Sequence, residues 1–197
     1  MFEYVDRFEK EIASYFNSPY AIATDSCTHG IELCLRKNSF KSIKIPKHTY
    51  LSIPMTMEKL GIEWCWQELE WENYYYIGNT NIIDAAVLWE EDSYIEGTFM
   101  CLSFQFKKHL GLGRGGMILT DCKDSYKELK KMVYDGRDQS LPWAKQDIET
   151  IGYHYYMTPE VAIDGYEKFL KIKDLTPKKW TYEDYPDLSD LSVFKKS

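Results

Sequence analysis

The chain has 197 residues, with 24 basic against 31 acidic side chains and a formal charge of −7. That length suits one domain with a real core, and the 44% apolar and 16% aromatic content excludes a disordered chain. The acidic balance argues against a nucleic-acid surface, and no apolar run approaches the roughly 20 residues of a membrane span.

The start, Met1-Phe-Glu-Tyr-Val-Asp-Arg, is charged and amphipathic, unlike a secretory signal. Phe2, Val5, Phe8, Ile12 and Phe16 stand at helical spacing and predict a first helix, stopped by Asn17-Ser-Pro. Residues 20–24 read as a strand, and a helix follows from near Thr28. Residues 41–46 form a brief strand, 50–60 a helix and 62–66 a strand. The polar, tyrosine-rich stretch 67–79 reads as loop. A buried strand over 81–86 carries the Asp84 carboxylate at its end. Further strands are predicted at 99–104 and, after a glycine cluster, at 117–120. Helices are expected over 122–134 and 159–172, the second with Thr158 as cap and Pro159 at its first position. The stretch 135–157 between them is irregular. Residues 174–197 alternate Lys, Asp and Pro with scattered aromatics, and read as a C-terminal arm or partly ordered tail beside a main unit of 1–173.

Helices alternating with short apolar strands indicate an α/β protein with a mostly parallel sheet. Ligands of such sheets bind beyond the carboxyl ends of the strands. Five cysteines (27, 34, 65, 101 and 122) form an odd set without CxxC spacing. They predict neither a zinc site nor a disulfide framework, but reduced thiols in a cytoplasm.

Four features can carry chemistry. Asp84 is a carboxylate too costly to bury without a cation or a donor. It is either a cap or loop ion pair, or the partner of a protonated ring nitrogen such as pyridoxal phosphate (PLP) presents. Lys107 and Lys108 follow a strand directly. They are ordinary surface charge, unless one is desolvated into an amine nucleophile for a Schiff base. Gly111-Leu-Gly-Arg-Gly-Gly116 satisfies GxGxxG but precedes a strand instead of opening a helix, which excludes a dinucleotide fingerprint. Its glycines suit backbone packed against a ligand or a subunit. Ser26-Cys-Thr-His lies where a strand turns into a helix, a place for plain N-capping or for a phosphate.

In this order the segments resemble the DegT/DnrJ/EryC1/StrS family of PLP-dependent sugar aminotransferases, of aspartate aminotransferase fold type I. Asp25-Ser-Cys-Thr-His-Gly-Ile-Glu-Leu is similar to the family's Ser-Gly-Thr-x-Ala-Leu phosphate turn, and Ile45-Pro-Lys-His-Thr-Tyr-Leu-Ser to its Pro-x-x-Thr-aromatic segment. Ile82-Ile-Asp-Ala-Ala is similar to Glu-Asp-Ala-Ala. Leu102-Ser-Phe-Gln-Phe-Lys-Lys-His-Leu-Gly is similar to Ser-Phe-x-x-x-Lys-x-Leu, and Gly115-Gly-Met-Ile-Leu-Thr-Asp to the Gly-Gly-strand that follows it. Gly152-Tyr-His-Tyr-Tyr-Met-Thr is similar to Gly-Tyr-Asn-Tyr-Arg-Met-Thr.

The resemblance implies a three-layer fold type I large domain with a trimmed sheet and the small domain largely absent. It implies pyridoxal 5'-phosphate as cofactor, with Lys108, five residues after Ser103, as the Schiff-base lysine and the proton carrier. Asp84 would keep the ring nitrogen protonated, and Tyr50 would stack on the ring. Thr28, the backbone of His29, and Ser103 would bind the phosphate. His154 stands where the family supplies an Asn from a neighbouring subunit, so a homodimer with shared sites is implied. The implied reaction moves an amino group from glutamate or glutamine to a nucleotide-linked keto sugar. Val87 and Tyr156 replace the family's usual Gln and Arg. The alternative is therefore a protein of this fold that binds the cofactor or a partner and has lost transamination.

Overall fold

The computed structural model describes residues 2–195. Helix α1 (Glu3–Phe16) buries Val5, Phe8, Ile12 and Phe16. It ends at Asn17, whose left-handed backbone (φ 59°) turns its N–H onto the Ala13 and Ser14 carbonyls. The remaining elements are β1 (Tyr20–Thr24), α2 (Cys27–Lys37), β2 (Ser42–Pro46), α3 (Ser52–Leu60), β3 (Glu63–Gln67), β4 (Tyr75–Tyr76), β5 (Ile82–Asp84), β6 (Phe99–Ser103), β7 (Gly116–Thr120), α4 (Lys123–Met132) and α5 (Pro159–Ile172).

Five strands form one sheet in the order β1-β7-β6-β5-β4, and β2 with β3 forms a separate parallel pair. The α/β class holds, but the sheet is mixed where mostly parallel pairing was expected. Only β5 and β6 are parallel neighbours in it; β1/β7, β6/β7 and β4/β5 are antiparallel. The reason is the connection after β6. No crossover helix follows it; instead the loop 104–115 brings the chain straight back, so β7 must run against β6.

Alternate strand residues serve two cores. Ile22, Ile82, Cys101 and Ile118 face α2, α3 and α4, while Ala21, Ile83, Met100, Leu102, Met117 and Leu119 face α1 and α5. A sheet covered on both faces is the three-layer arrangement, and it explains strands that are apolar throughout. Each large side chain so buried contributes about 1.5–3 kcal/mol.

Three local expectations change. The stretch 67–79 contains β4, whose two residues are too short for an alternation signal; its Tyr75 lies opposite Asp84. Thr158 precedes α5 without a side-chain cap bond, leaving Pro159 to set the first turn. The arm crosses the molecule and is docked up to residue 195; its last two residues lie outside the described ones. Leu188 and Phe194 in it are buried, Phe194 against Trp64 and Trp66. All five cysteines are free, with Cys27, Cys34 and Cys101 buried and Cys65 and Cys122 exposed. Among the described residues, no helix is long and apolar enough to cross a membrane.

Gly116 opens β7 directly against the start of α2. A Cβ there would stand 2.4 Å from the Cys27 nitrogen and 2.5 Å from the Ser26 carbonyl carbon. Backbone cannot yield as a flexible side chain does. Gly116→Ala is therefore expected to destabilise the protein by about 1–3 kcal/mol, measured by urea unfolding.

Candidate active site

The carboxyl ends of β5 and β6, the first turn of α2 and the loop 104–115 surround a cavity of about 410 Å3. Larger surface grooves, of about 740 Å3 beside Lys130 and 580 Å3 beside Trp89, lie elsewhere. This cavity joins parallel strand ends to a helix start, where α/β sheets place their ligands.

Asp84 forms one end. Burial pushes its carboxyl up, against hydrogen bonds from Tyr75 and the Ala86 N–H and the charge of Lys108. The Tyr75 hydroxyl donates to Oδ2 at 2.6 Å and the Ala86 N–H to Oδ1 at 3.0 Å. Tyr75 is itself held by Thr49 through a second hydroxyl contact. Among the described residues no cation is hydrogen-bonded to this carboxylate. Neutral donors satisfy its lone pairs but do not compensate its charge.

Lys108 enters from the loop. The Phe104 N–H donates to the Gly115 carbonyl (2.9 Å) and the Leu112 N–H to the Phe104 carbonyl (2.7 Å), which closes the loop. Gly111, at φ +56°, supplies the reversal. The Lys108 N–H bonds back to the Gln105 carbonyl at 2.8 Å, which sends the side chain inward. Lys107 is exposed, with its amine 5.8 Å from the Phe106 ring centroid. Burial lowers the Lys108 pKa, while the charge of Asp84 works the other way. The Lys108 amine donates to the Tyr185 hydroxyl at 3.0 Å.

The start of α2 forms another side. Ser26 is its cap, and its Oγ accepts from the His29 N–H at 3.2 Å. Thr28 Oγ donates to Ser52 Oγ at 2.8 Å. Ser103 also borders the cavity, with Arg114 at the rim ion-paired to Asp25. A helix start, small hydroxyls and a nearby guanidinium together suit an anion such as a phosphate.

Five expected residues thus meet at one cavity: Thr28, Tyr50, Asp84, Ser103 and Lys108. Two do not. The His29 side chain points away, its Nδ1 2.6 Å from Asp25 Oδ1 and its ring stacked on Tyr155 at 3.6 Å. Its N–H, expected to meet a phosphate, already serves the cap. His154 is exposed and pairs with Asp135 at 3.0 Å, outside the cavity. Sequence reasoning missed Tyr75, Trp180 and Tyr185, which lie in the two polar stretches left as loop and tail. The available signal was their aromatic density, since large rings in a polar segment need a surface to cover.

A buried carboxylate lacking a cation, a desolvated amine and an anion-suited helix start on one wall fit a flat, cationic, phosphorylated heterocycle by the chemistry of the donor set. Among curated proteins no match is found. Among solved structures, AtS13 from Actinomadura melliaura is 18% identical with a TM-score of 0.77, over 87% of this chain and 60% of that one. The sugar aminotransferase CalS13 from Micromonospora echinospora is 12% identical with a TM-score of 0.72, over 87% and 61%. Spr1654 from Streptococcus pneumoniae, in its PLP form, is 15% identical with a TM-score of 0.70, over 86% and 59%. The chain spans about three fifths of the length of these structures. The model of one family matches residues 1–75 and 95–185. With that match covering most of its length, the chain belongs to the DegT/DnrJ/EryC1/StrS aminotransferase family.

Proposed function

We propose that the cavity holds pyridoxal 5'-phosphate, and that the protein is a PLP-dependent aminotransferase acting between an amino acid, glutamate or glutamine, and a nucleotide-linked keto sugar. The observation that carries this reading is Asp84, buried without a cation on the same cavity as the desolvated Lys108 amine. When bound, the cofactor supplies an electron sink for the carbon that gains or loses the amino group.

Asp84 holds a proton on the ring nitrogen, and Tyr75 and the Ala86 N–H keep the carboxylate aimed. Thr28, Ser103 and the first turn of α2 take the phosphate, and Tyr50 covers the ring. Lys108 is the covalent anchor. Its amine, on the wall of the cavity, would hold the cofactor covalently through the cofactor's aldehyde, with water as the by-product. As a free amine, Lys108 would hold and move a proton at the reacting carbon, a role that suits a lysine with a lowered pKa. His154, exposed and outside this chain's own cavity, is read as reaching the site of a second copy in a cytoplasmic homodimer.

A second reading has one observation in its favour. Val87 borders a small space beside Asp84 and offers no hydrogen bond there. A protein that binds the cofactor and no longer transfers amino groups is consistent with that apolar wall.

Wild-type protein mixed with PLP is expected to develop the visible absorption band of a lysine-linked pyridoxal. Lys108→Ala should abolish the band and Lys107→Ala should retain it; identical spectra from wild type and Lys108→Ala refute the anchor. Adding glutamate or glutamine then separates the two readings, because only a transaminating protein loses the band to the amine form of the cofactor.

Asp84 also sets a pH dependence in the cofactor-free protein. Its folded pKa is raised, so its contribution to stability is complete below the ordinary Asp value of about 3.9 and is lost as pH rises through the folded value. The Tm of wild type relative to Asp84→Asn is expected to fall as pH goes from about 4 to neutral. Saturating PLP should oppose that fall, since a protonated ring nitrogen compensates the charge. Differential scanning fluorimetry across that range reads both.

A further inference from the structure

The arm over residues 176–194 plays no part in the assignment above, yet it closes the mouth of the cavity and is held from two sides. On one side the Trp180 N–H donates to Asn73 Oδ1 at 3.1 Å and the Asn73 N–H to the Trp180 carbonyl at 2.8 Å. The Tyr182 N–H donates to the Trp71 carbonyl at 3.0 Å. On the other side His48 Nδ1 lies 2.8 Å from the Tyr185 carbonyl, and the Leu188 N–H donates to the Lys47 carbonyl at 3.0 Å. A strap fixed this way presents Trp180, Asp184 and Tyr185 to the cavity. The Lys108 amine lies 5.0 Å from the Trp180 ring centroid and 3.0 Å from the Tyr185 hydroxyl.

We propose that Trp180 and Tyr185 are positioning residues for the Lys108 amine, the two rings forming a dry ceiling and the hydroxyl aiming the nitrogen into the cavity. The proposal deepens the reading of Lys108 as the anchor and rests on it for its purpose, though not for its geometry.

The groups facing Lys108 come from every wall. Asp84 stands at the end of β5 and Cys27 at the start of α2, with Lys107 in the same loop. Arg114 borders the rim, and Asp184 and Tyr185 come from the arm. Asp84 favours the ammonium form. Burial opposes it and prevails, with help from Lys107, so the lysine pKa is lowered. The ceiling is the removable part of that burial. Facing aromatic rings would by themselves favour the cation, and the net direction places desolvation above that contribution. The Tyr185 hydroxyl does not act as a counter-ion, because burial and the charge of Asp84 push its pKa up and keep it neutral. A neutral hydroxyl can accept from an ammonium or donate to a free amine. It aims the nitrogen in either protonation state.

The test is trace acetylation of the cofactor-free full chain with acetic anhydride across pH, with each lysine's rate mapped by mass spectrometry. In the wild type the Lys108 midpoint is expected below the ordinary lysine value of about 10.4. In the double variant Trp180→Ala/Tyr185→Ala it should rise toward the ordinary lysine value of about 10.4, and a rise of one unit lowers the free-amine fraction at pH 7 about tenfold. Tyr185→Phe keeps the ceiling and loses the hydroxyl. Its midpoint should stay at the wild-type value while the PLP band forms about threefold more slowly, as expected for the loss of one modest hydrogen bond. Should the double variant not fold, Asn73→Gly removes the side-chain acceptor of the Trp180 N–H, along with a long exposed contact to Glu72, and should raise the midpoint in the same direction. A wild-type midpoint at the ordinary lysine value of about 10.4, or one unmoved when the ceiling is removed, overturns the proposal. A low midpoint that rises on removing the ceiling, in a protein that gives no PLP band, refutes the cofactor reading and leaves the ceiling standing.

Discussion

The constraint from which the site follows is the charge of Asp84. It ends a strand buried on both faces, and among the described residues its oxygens are hydrogen-bonded to a phenol and a backbone N–H. A carboxylate so placed is raised in pKa and unfavourable when ionised unless positive charge reaches it. Lys108 supplies part of that charge from a distance, while its own ammonium form is penalised by burial. Two groups that each disfavour their own ionisation, set on one cavity, make a site whose protonation responds strongly to what enters it.

The fold around this pair is economical in backbone. The return loop after β6 takes the place of a crossover helix, so the residues that follow the strand, Ser103 through Lys108, are held against the start of α2 by β7 and its glycines. Gly116 permits that approach, since the amide of Cys27 occupies the space a side chain would need. Packing and site geometry are thus the same contact seen from two sides. The two apolar layers, one under α1 and α5 and the other under α2, α3 and α4, hold the strand ends rigid.

Aromatic residues from one core and from the arm meet where the cavity needs walls. Trp71 and Tyr75 line the Asp84 end, and Trp180 and Tyr185 lie across the mouth, with Trp71 and Tyr185 rings 5.4 Å apart. These rings join two segments separated by about a hundred residues of sequence. Their contact both docks the arm and removes water from the lysine, so stability of the arm and reactivity of the amine are coupled physically.

The sequence by itself determined the elements and much of the site. Apolar spacing marked α1, β1, β6 and α5 nearly to the residue and β5 at twice its length, because helix and strand periods are local properties. A carboxylate ending an apolar strand and a lysine just past another were visible for the same reason, and their order along the chain carried the family resemblance. Tertiary structure decided the rest. Strand direction depended on the path of the 104–115 loop, which has no period to read. That Lys108 and not its neighbour turns inward followed from a single turn bond to Gln105. The His29 N–H, expected to face a phosphate, is bonded to the Ser26 cap, while Asp25 and Tyr155 hold its ring elsewhere. The arm's position over the lysine rests on backbone and side-chain hydrogen bonds to residues 47–48 and 71–73, and contacts between residues so far apart leave no local pattern in a single chain.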